Sequence, residues 1–551
     1  MAMKKSFTTL ILLILFFIAT ISAQNKKTFY AAFDSISANS IKEHLSILAD
    51  DSLEGRKVGT VGANTAAKYI SDKFSSYQLN KIGSENKYFQ DIQMHGSIPL
   101  SSSELNLFSE EDTTYLALSE DYFLFRSGQQ TFTPVSLPIV FVGYGIIAPE
   151  FDYNDYQSVN VEGKVVVFLD GEPDSDDEDY FDGKTPTIYS YPESKRRIAI
   201  SRGAAGTIQI PISNFNNWKE IQKDFEFEDV TLAYSVSSSL SVLLNPNAAD
   251  YLFRNSGYSM ADVMKMHDEN RLESFPLETK IKFRGIFKER DFISQNVIGM
   301  IEGSDPELKN TYLIISAHYD HLGVGIPVNG DSIYNGTLDN AIGVSVLLEL
   351  AKTFSELEIK PKRSILFIAL TGEEFGLLGS SYYVDNPIVP LHNTIADINI
   401  DGIAMFKDFQ SIVGIGFEYS TLCESLKQTA DRYDLSIENI PAQFKNFDAF
   451  NKSDQLAFAT AGIPSILILE GVKNKTKSEE EVLNAFITYY LEKYHTPFDE
   501  ISQDIDYEAA SKHAKILFDF CYHLANEISV PEWKPDSPFI NARLRSISEE
   551  K

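Results

Sequence analysis

Histidine and carboxylate side chains recur where short apolar runs of this sequence end. His318, Glu374 and Asp401 each come just after such a run, and Asp339 stands just before a helical pattern. His495 lies in a later Tyr-His-Thr-Pro segment. Imidazole nitrogens and carboxylate oxygens, without cysteine, are ligands that suit zinc, and also cobalt or manganese. These residue types therefore predict a metal site.

The number of candidate ligands favours two metal ions over one. Five ligands are one too many for a single tetrahedral zinc, but they suit two ions if one carboxylate bridges them. Asp339 is a short carboxylate at a predicted helix start, which makes it the natural bridge. Taken singly, each residue has an ordinary alternative, such as a helix cap for Asp339 or a loop position for His495. Their succession at strand ends favours the metal interpretation.

The elements that would bring these ligands together are predicted as alternating strands and helices. Four short apolar runs have the character of strands buried on both faces, and apolar residues recur at helical spacing over 341–354 and 507–527. The alternation predicts an α/β fold with a mostly parallel central sheet flanked by helices. In such sheets ligands bind at the carboxyl ends of the strands. The predicted strands are 311–317, 364–370, 396–400 and 464–470.

A β-rich segment precedes this α/β pattern. Short β-branched runs at 137–146, 164–171 and 207–212 are bounded by glycine or proline, as strands are. We expect a separate β-rich unit inserted here, with a helix over 193–206. Within it, Asp170 to Asp182 contains eight acids in thirteen positions. No EF-hand glycine is present, so a solvated acidic loop is favoured over a calcium site.

The first 23 residues read as a secretory signal peptide. Lys4 and Lys5 precede an apolar stretch from Leu10 to Ala19, and small residues lead up to Ala23. The apolar stretch is shorter than the roughly 20 residues that an uncleaved anchor needs. We therefore expect a secreted or periplasmic protein without stable membrane insertion after cleavage.

Composition excludes several classes of protein. Acidic residues number 78 against 48 basic ones, and no basic cluster appears. Nucleic acid and anionic membranes are therefore not expected as partners. Two cysteines, Cys423 and Cys521, exclude a disulfide scaffold and a cysteine-ligated zinc finger. A single bridge between them stays open, with two buried thiols as the alternative.

The candidate residues stand in five short motifs, HYDHLG at 318–323, DN at 339–340, EEFGLLGS at 373–380, NID at 399–401 and YHTPFD at 494–499. These motifs resemble those of the secreted co-catalytic di-zinc aminopeptidases, the metallopeptidase family twenty-eight that is related to glutamate carboxypeptidase II. Segments 50–60 (DDSLEGRKVGT) and 451–468 are also similar to family segments, and the β-rich insert resembles a protease-associated domain. The fold implied is that of the zinc-dependent exopeptidases.

The resemblance implies a role for each ligand and a cofactor of two Zn²⁺ per chain, with Co²⁺ or Mn²⁺ as substitutes. His318 and Asp401 would hold one zinc ion, Glu374 and His495 would hold the other, and Asp339 would bridge them.

Other residues are expected to support the chemistry. The resemblance implies that Glu373 is the general base toward a metal-bridging water. Asp320 is grouped with Glu373 as catalytic, because it lies close to His318 in sequence and can orient its ring. His321 is expected as a pocket wall or supporting residue rather than a ligand. The supporting or substrate-binding candidates are His321, Tyr494, Asp454 and Asp499.

The function that follows is a secreted zinc-dependent exopeptidase, and an aminopeptidase that removes N-terminal residues from peptides is favoured. A carboxypeptidase of the same family is an alternative, with Arg56 as the candidate that would hold a terminal carboxylate. Glutaminyl cyclase and an inactive receptor-like homologue are the others. Leu338, Gly402 and Gln455 depart from residues common in the family, and none of them removes a ligand.

The predicted organisation has five parts. They are a signal peptide at 1–23, the N-terminal part of the peptidase domain at 24–135, a protease-associated-like insert at 136–286, the catalytic domain at 287–528 and an irregular tail at 529–551.

Overall fold

A parallel set of strands forms the centre of the larger unit of this protein, whose structure is a computed structural model. This unit is made of residues up to Ile92 and from Ile293 onward, and Gln93–Phe292 form a second unit. Both boundaries fall inside strands, Phe89–Pro99 and Phe287–Ile301. The structure describes residues 27–549 except 84, 86, 111, 125–131, 178, 182, 184–186, 188, 213–217, 226, 237–238 and 403–404.

The four predicted strands of the α/β pattern are present and mutually parallel. Tyr312–His318 pairs in parallel with Ser364–Leu370 on one side and with Thr394–Asn399 on the other. Thr394–Asn399 pairs in parallel with Ser465–Glu470. The outer neighbours, Phe287–Ile301 and Ser411–Ile415, are antiparallel. The predicted α/β class with a mostly parallel central sheet is therefore confirmed, and the carboxyl ends of the four strands meet at one edge.

The helices that cover this sheet follow the predicted spacing. Helix Ile342–Glu356 buries residues 344, 347, 348, 351 and 354. Helix Tyr507–Asn526 buries residues 510, 514, 517, 521 and 524. These positions recur every three or four residues and so form one apolar face. Further helices of this unit are Ala38–Leu48, Val61–Ser76, Leu378–Asp385, Leu422–Arg432, Gln455–Thr460, Glu479–Glu492 and Ile540–Glu549.

The second unit contains a sheet of eight strands among its described residues. Four of them are parallel neighbours: Leu137–Val142, Val165–Leu169, Gly206–Ile210 and Leu240–Leu244. Helices Pro192–Ser201 and Met260–Asp268 accompany them. This unit begins at Gln93 and so is longer than the predicted insert of 136–286, and its protease-associated identity stays a prediction. The other strands of this sheet are Glu104–Phe108, Thr113–Leu116, Tyr122–Leu124 and Ser274–Arg284.

The expectation of an irregular tail after residue 529 is wrong for its last part. Residues Ile540–Glu549 form a helix. Upstream of it, Trp533 and Phe539 pack on an apolar cluster with Val413 and Phe450. Trp533 and Phe539 are thus buried within the first unit, whereas Leu544 and Ile547 of the final helix are exposed.

Two further expectations concern cysteines and the membrane. Cys423 and Cys521 are buried free thiols, so the bridge that the sequence left open is absent. Among the described residues, no helix is both long and apolar enough to cross a bilayer. The predicted signal peptide at 1–23 lies outside the described residues.

Candidate metal centre

The parallel strands deliver three candidate residues to one edge of the sheet. His318 is the last residue of its strand, Tyr312–His318. Glu373 and Asp401 follow Ser364–Leu370 and Thr394–Asn399 within three residues of the strand ends. Because these strands are parallel neighbours, their carboxyl ends place the three side chains together.

Asp339 reaches the same place from a turn before helix Ile342–Glu356. Its peptide bond to Asn340 is cis. The side-chain amide of Asn340 donates to the Ile400 carbonyl at 2.8 Å, and its oxygen accepts the Gly343 N–H at 3.1 Å. The amide of Asn340 therefore ties this turn to the segment that leads into Asp401.

Asp339 presents one carboxylate oxygen to each of two histidines. His318 Nε2 lies 3.3 Å from Asp339 Oδ1 and 3.4 Å from Asp401 Oδ1. His495 Nε2 lies 3.2 Å from Asp339 Oδ2 and 3.1 Å from Glu374 Oε2. The five predicted ligands are thus brought together in two groups that share Asp339. This is the arrangement that the sequence predicted for a bridging carboxylate.

The donor atoms fit metal ions. Two ligands at zinc bond lengths of 2.0–2.1 Å in tetrahedral geometry lie about 3.3 Å apart, which matches the spacings above. Nε2 of His318 and Nε2 of His495 are buried and have no hydrogen-bond partner in the protein. An unpartnered buried nitrogen is costly unless something binds it. A cation between each imidazole and its carboxylates would satisfy these atoms.

The electrostatics of the cluster are dominated by its carboxylates. Burial opposes the charged form of His318, but Glu373, Asp339 and Asp401 outweigh it and raise the pKa of His318 well above its usual value. The pKa of His495 is raised in the same way by Glu374 and Asp339, against burial. The negative potential that holds protons on these rings would attract a metal cation in their place.

Glu373 lies in the same cluster without being one of the five ligands. One of its carboxylate oxygens falls in a group with atoms of His318 and Glu374 that are all within 4.8 Å of one another. Burial raises the pKa of Glu373 well above its usual value; Asp401 and Glu374 add to the rise, and His318 opposes it. A buried carboxyl beside the ligands, with a preference for holding a proton, can accept and return a proton.

Comparison with known proteins identifies the family of this site. Residues 296–521 match the model of peptidase family M28, and these residues include the five candidate ligands. The chain carries an M28 peptidase domain. The predicted resemblance is therefore confirmed.

The similarity between this chain and its curated relatives covers only part of each relative. A probable leucine aminopeptidase 2 of Aspergillus oryzae is 26% identical over 271 residues, covering 47% of this chain and 50% of the relative. A probable zinc metalloprotease of Pyrenophora teres f. teres is 25% identical over 244 residues, covering 43% and 49%. The chain spans about half the length of these relatives.

A solved structure shares the fold over most of the chain. The aminopeptidase from Aneurinibacillus sp. strain AM-1 has a TM-score of 0.54 and 19% identity. The likeness covers 91% of this chain and 97% of that one. At this identity it shows the fold alone, and it agrees with the zinc-exopeptidase fold that the motifs implied.

The supporting candidates of the M28 domain contact the ligands in different ways. Asp499 accepts the backbone N–H of Leu338 at 3.0 Å and that of Asp339 at 3.1 Å, so it holds the turn that carries Asp339. The Tyr494 ring stacks on the His495 ring with centroids 3.8 Å apart. Both side chains therefore lie where they can fix a ligand.

His321 and Asp320 occupy positions that the sequence left open. His321 Nδ1 is in close contact with Glu374 Oε1, and His321, Asp339 and Glu374 form a group whose ligand atoms lie within 4.8 Å of one another, so the expectation that His321 is a supporting residue stays a prediction. The backbone carbonyl of Asp320, at 3.2 Å, is nearer to His318 Nδ1 than its carboxylate, at 3.9 Å. The Asp320 carboxylate accepts the Glu373 N–H at 3.2 Å instead. Asp320 thus supports the base as well as the ligand.

Asp454 lies one step further from the ligands. It is fully buried and accepts the Ser380 hydroxyl at 2.5 Å. Burial raises its pKa to about 7; His318 opposes this rise, whereas Asp320 and Asp401 add to it. The hydrogen bond of Asp454 is thus to Ser380 and not to a proposed metal ligand.

Sequence reasoning missed the residues that hold Asp401. Ser453 donates its hydroxyl to Asp401 Oδ2 at 2.6 Å. Asn399 donates to Ser453 Oγ at 2.8 Å and to Gln455 Oε1 at 2.7 Å. Gln455, one of the departures from the family, is therefore part of a buried hydrogen-bond network behind Asp401. The available signal was the family-like segment 451–468, which contains two of these residues.

Arg56 is not placed to hold a substrate carboxylate. Its side chain is 1% exposed, and its guanidinium donates to backbone carbonyls. The reason for naming Arg56 as the carboxylate-binding residue of a carboxypeptidase is thereby removed.

Proposed function

We propose that this chain is a zinc-dependent aminopeptidase that removes N-terminal residues with apolar side chains from peptides. The observation that carries the proposal is the shared Asp339 carboxylate between the buried imidazole of His318 and the half-buried imidazole of His495, each with a second carboxylate beside it. Such a set suits two zinc ions with one bridging ligand. His318 and Asp401 would hold one ion, and Glu374 and His495 the other.

The chain's own residues would divide the chemistry between them. Bound zinc ions would supply positive charge that lowers the pKa of a water molecule and polarises the scissile carbonyl. Glu373 would take the proton of the attacking water and return it to the leaving amine. The Glu373 N–H bond to Asp320 would hold the base in line with the ligands. Tyr494, stacked on His495, would line the substrate's path.

An apolar pocket beside the ligands supports the choice of an aminopeptidase. Its volume is about 300 Å³, and Asp339 and Asp401 form part of its wall. No basic side chain occurs among the described residues that line it. A terminal carboxylate would find no cationic side chain among these residues, whereas a free amine would meet carboxylates. The apolar and aromatic lining residues are Leu338, Met405, Val413, Ile415, Ile440, Pro441, Phe444, Ala449, Leu469, Val472, Phe486, Tyr489, Tyr490 and Tyr494.

A matched pair of peptides tests the reaction. Leu-Gly-Gly and its N-acetylated form are incubated with the purified protein, before and after treatment with a chelator and after zinc is restored. We expect release of leucine from the free peptide alone, loss with chelator and recovery with zinc. Cleavage of the acetylated peptide at an equal rate, or full activity in chelator, would reject the proposal.

A second pair tests the pocket. Leucine and lysine p-nitroanilides present an apolar and a longer, cationic side chain, and an apolar pocket disfavours an unpaired charge. We expect leucine to exceed lysine by about tenfold or more in kcat/KM. Equal rates would not contradict the aminopeptidase proposal, but they would reject the proposal that this pocket binds the side chain of the N-terminal residue.

We further propose export from the cytoplasm, supported by the signal-peptide character of residues 1–23. Sequencing the amino terminus of the protein recovered outside the cytoplasm would test this, with a new terminus near Gln24 expected.

A further inference from the structure

The turn before helix Val61–Ser76 is folded in an unusual way that sends Arg56 inward. Glu54, Gly55 and Arg56 all have positive φ angles, of 47°, 65° and 52°. A Cβ atom on Gly55 would lie 2.2 Å from the Tyr334 carbonyl oxygen, so only glycine allows this contact. The turn is therefore pressed against the backbone that leads into Asp339.

The Arg56 guanidinium then joins three segments of backbone. Nε donates to the Tyr319 carbonyl at 2.8 Å, between His318 and Asp320. Nη1 donates to the Asn335 carbonyl at 2.6 Å and Nη2 to that of Gly336 at 2.9 Å, three residues before Asp339. The remaining bond, 2.6 Å long, goes from Nη1 to the carbonyl of Leu48. Charge-assisted bonds of this kind are stronger than neutral ones.

The Asp339 turn is thus held from two sides. Arg56 binds the carbonyl of Gly336, while Asp499 accepts the N–H groups of Leu338 and Asp339. Asn335 adds to the same joint, because its side chain donates to the Ala49 carbonyl at 3.1 Å and to Asp51 at 2.9 Å. A surface loop does not need such buried hydrogen bonds. Two loops that share metal ions do, because their separation must stay fixed.

Charge adds a second contribution. Burial lowers the pKa of Arg56 to about 10, and Asp320, Asp499, Asp339 and Glu374 act against this fall. The guanidinium therefore stays charged at neutral pH and interacts with four carboxylates of the site without touching their oxygens.

We propose that Arg56 is a positioning residue of the metal centre, which fixes the separation of the His318 and Asp339 loops by bonding to backbone carbonyls of both. The inference rests on the proposed function, since it assumes that these loops hold zinc. It also gives a role to the 50–60 segment, which the ligand set and the base leave unexplained.

The test compares two buried arginines. Arg56→Lys keeps the charge but replaces a planar fork by one ammonium group, which cannot reach four carbonyls. Arg363→Lys is the matched control. Arg363 is also 1% exposed and bonds to backbone carbonyls, those of Glu527 and Ile528, at 3.2 and 2.9 Å. It precedes strand Ser364–Leu370, at the end opposite to the ligands.

Zinc affinity is measured by calorimetric titration of chelator-stripped protein, and thermal unfolding is measured in chelator. We expect Arg56→Lys to weaken zinc binding by about 10–100-fold, as loss of a residue that orients ligands does. Arg363→Lys should keep the wild-type affinity although it lowers the melting temperature. A folded Arg56→Lys with wild-type affinity would overturn the proposal.

Asn335→Ala provides a milder break in the same joint if Arg56→Lys does not fold. We expect it to fold and to weaken zinc binding several-fold, and unchanged affinity in this variant would count against the proposal. A wild-type protein that binds no zinc would instead reject the proposed function, so the two failures are distinguishable.

Kinetics separate positioning from substrate binding. Leu-Gly-Gly and its C-terminal amide differ only in the terminal carboxylate. If Arg56 positions the centre, Arg56→Lys lowers kcat for both peptides by the same factor. If Arg56 bound the substrate carboxylate, KM would rise for the free acid alone, and the proposal would fail.

Discussion

Each of the two units contains four parallel strands with acidic residues just after a strand end, but the two units use these acids differently. In the first unit, His318, Asp339 and Asp401 place their donor atoms 3.3–3.4 Å apart around unpartnered imidazole nitrogen. In the second unit, Asp170 and Glu172 follow strand Val165–Leu169. A strand-end position is therefore common to both sets, and it does not by itself make a metal site.

The two strand-end acids of the second unit already accept hydrogen bonds from the protein. Asp170 Oδ1 accepts the Ile212 N–H at 2.6 Å, and Glu172 accepts the Thr187 N–H at 2.6 Å. The basic partner nearby is Lys195, whose ammonium group donates to the Leu169 carbonyl at 3.1 Å. Within the described residues, the groups of three or more candidate metal ligands all lie in the first unit.

The two sheet edges thus differ in what their carboxylate oxygens bind. Carboxylates that accept backbone N–H groups shape a loop, whereas carboxylates that face imidazole nitrogens can share a cation. The acidic run at 170–182 was expected from sequence to be a solvated loop. Its Asp170 and Glu172 carboxylates accept backbone N–H groups and so shape this loop.

The largest expected difference comes from removing one acid at each edge. Asp339→Ala should abolish hydrolysis of leucine p-nitroanilide and lower bound zinc, because both proposed ions lose a ligand. Asp170→Ala should keep full activity and zinc content and cost about 1–3 kcal/mol of stability, from the unpaired Ile212 N–H. Elemental analysis after dialysis measures the metal. Zinc retained by Asp339→Ala at the wild-type ratio would contradict the comparison.

A smaller loss is expected for the base, with the metal kept. Glu373→Gln preserves shape but cannot take a proton, so kcat should fall by about 10²–10⁴-fold. Zinc content should equal that of the wild type, since Glu373 is outside the ligand set. Activity within tenfold of wild type would show that another group accepts the proton.

The convergence of three proposed ligands was predictable from sequence because each one stands at the end of an apolar run, whereas the role of His495 was implied only by the resemblance. His318 ends an apolar run, and Asp401 and Glu374 follow others, so parallel pairing alone brings them together. The strands and the two long helices were predictable for a related reason, since burial on both faces or on one face leaves a periodic pattern. These features are local in sequence even though the site is not.

The supports of the ligands were not predictable in the same way. Ser453 holds Asp401 across 52 residues, and Arg56 reaches Tyr319 across 263. No periodicity links such pairs, and their partners are often backbone atoms, which sequence does not distinguish. The inward direction of Arg56 also depends on three successive positive φ angles, including that of Glu54, which residue type does not favour.

Removing a support should cost less than removing a ligand. Ser453→Ala takes away the hydroxyl that donates to Asp401 Oδ2 at 2.6 Å and leaves the carboxylate in place. We expect zinc affinity to fall by about 10–100-fold and activity to recover when zinc is raised. Thr353→Ala, whose buried hydroxyl bonds to the Glu349 carbonyl at 2.8 Å inside a helix, is the control and should keep its zinc affinity. Equal affinity in both variants would show that Asp401 needs no support.

The smallest effect concerns the cation of the second unit and appears only with pH. Burial lowers the pKa of Lys195 to about 7, although Asp170, Asp155 and Glu172 act against this fall. Below pH 7 both the folded and the unfolded chain hold the proton, so Lys195 contributes no slope. Between pH 7 and about 10 the unfolded chain keeps the proton and the folded one has lost it, so stability rises with pH.

The slope from this one group is at most about 1.4 kcal/mol per pH unit. Lys195→Met removes it, so the difference in free energy of unfolding between wild type and variant should change between pH 7 and 9, in favour of the wild type at the higher pH. Urea unfolding at both values measures this. Lys195→Met should leave zinc binding unchanged, which is the control that its effect is confined to the second unit. A pH-independent difference would mean that Lys195 stays charged in the fold, held by its carbonyls as Arg56 is.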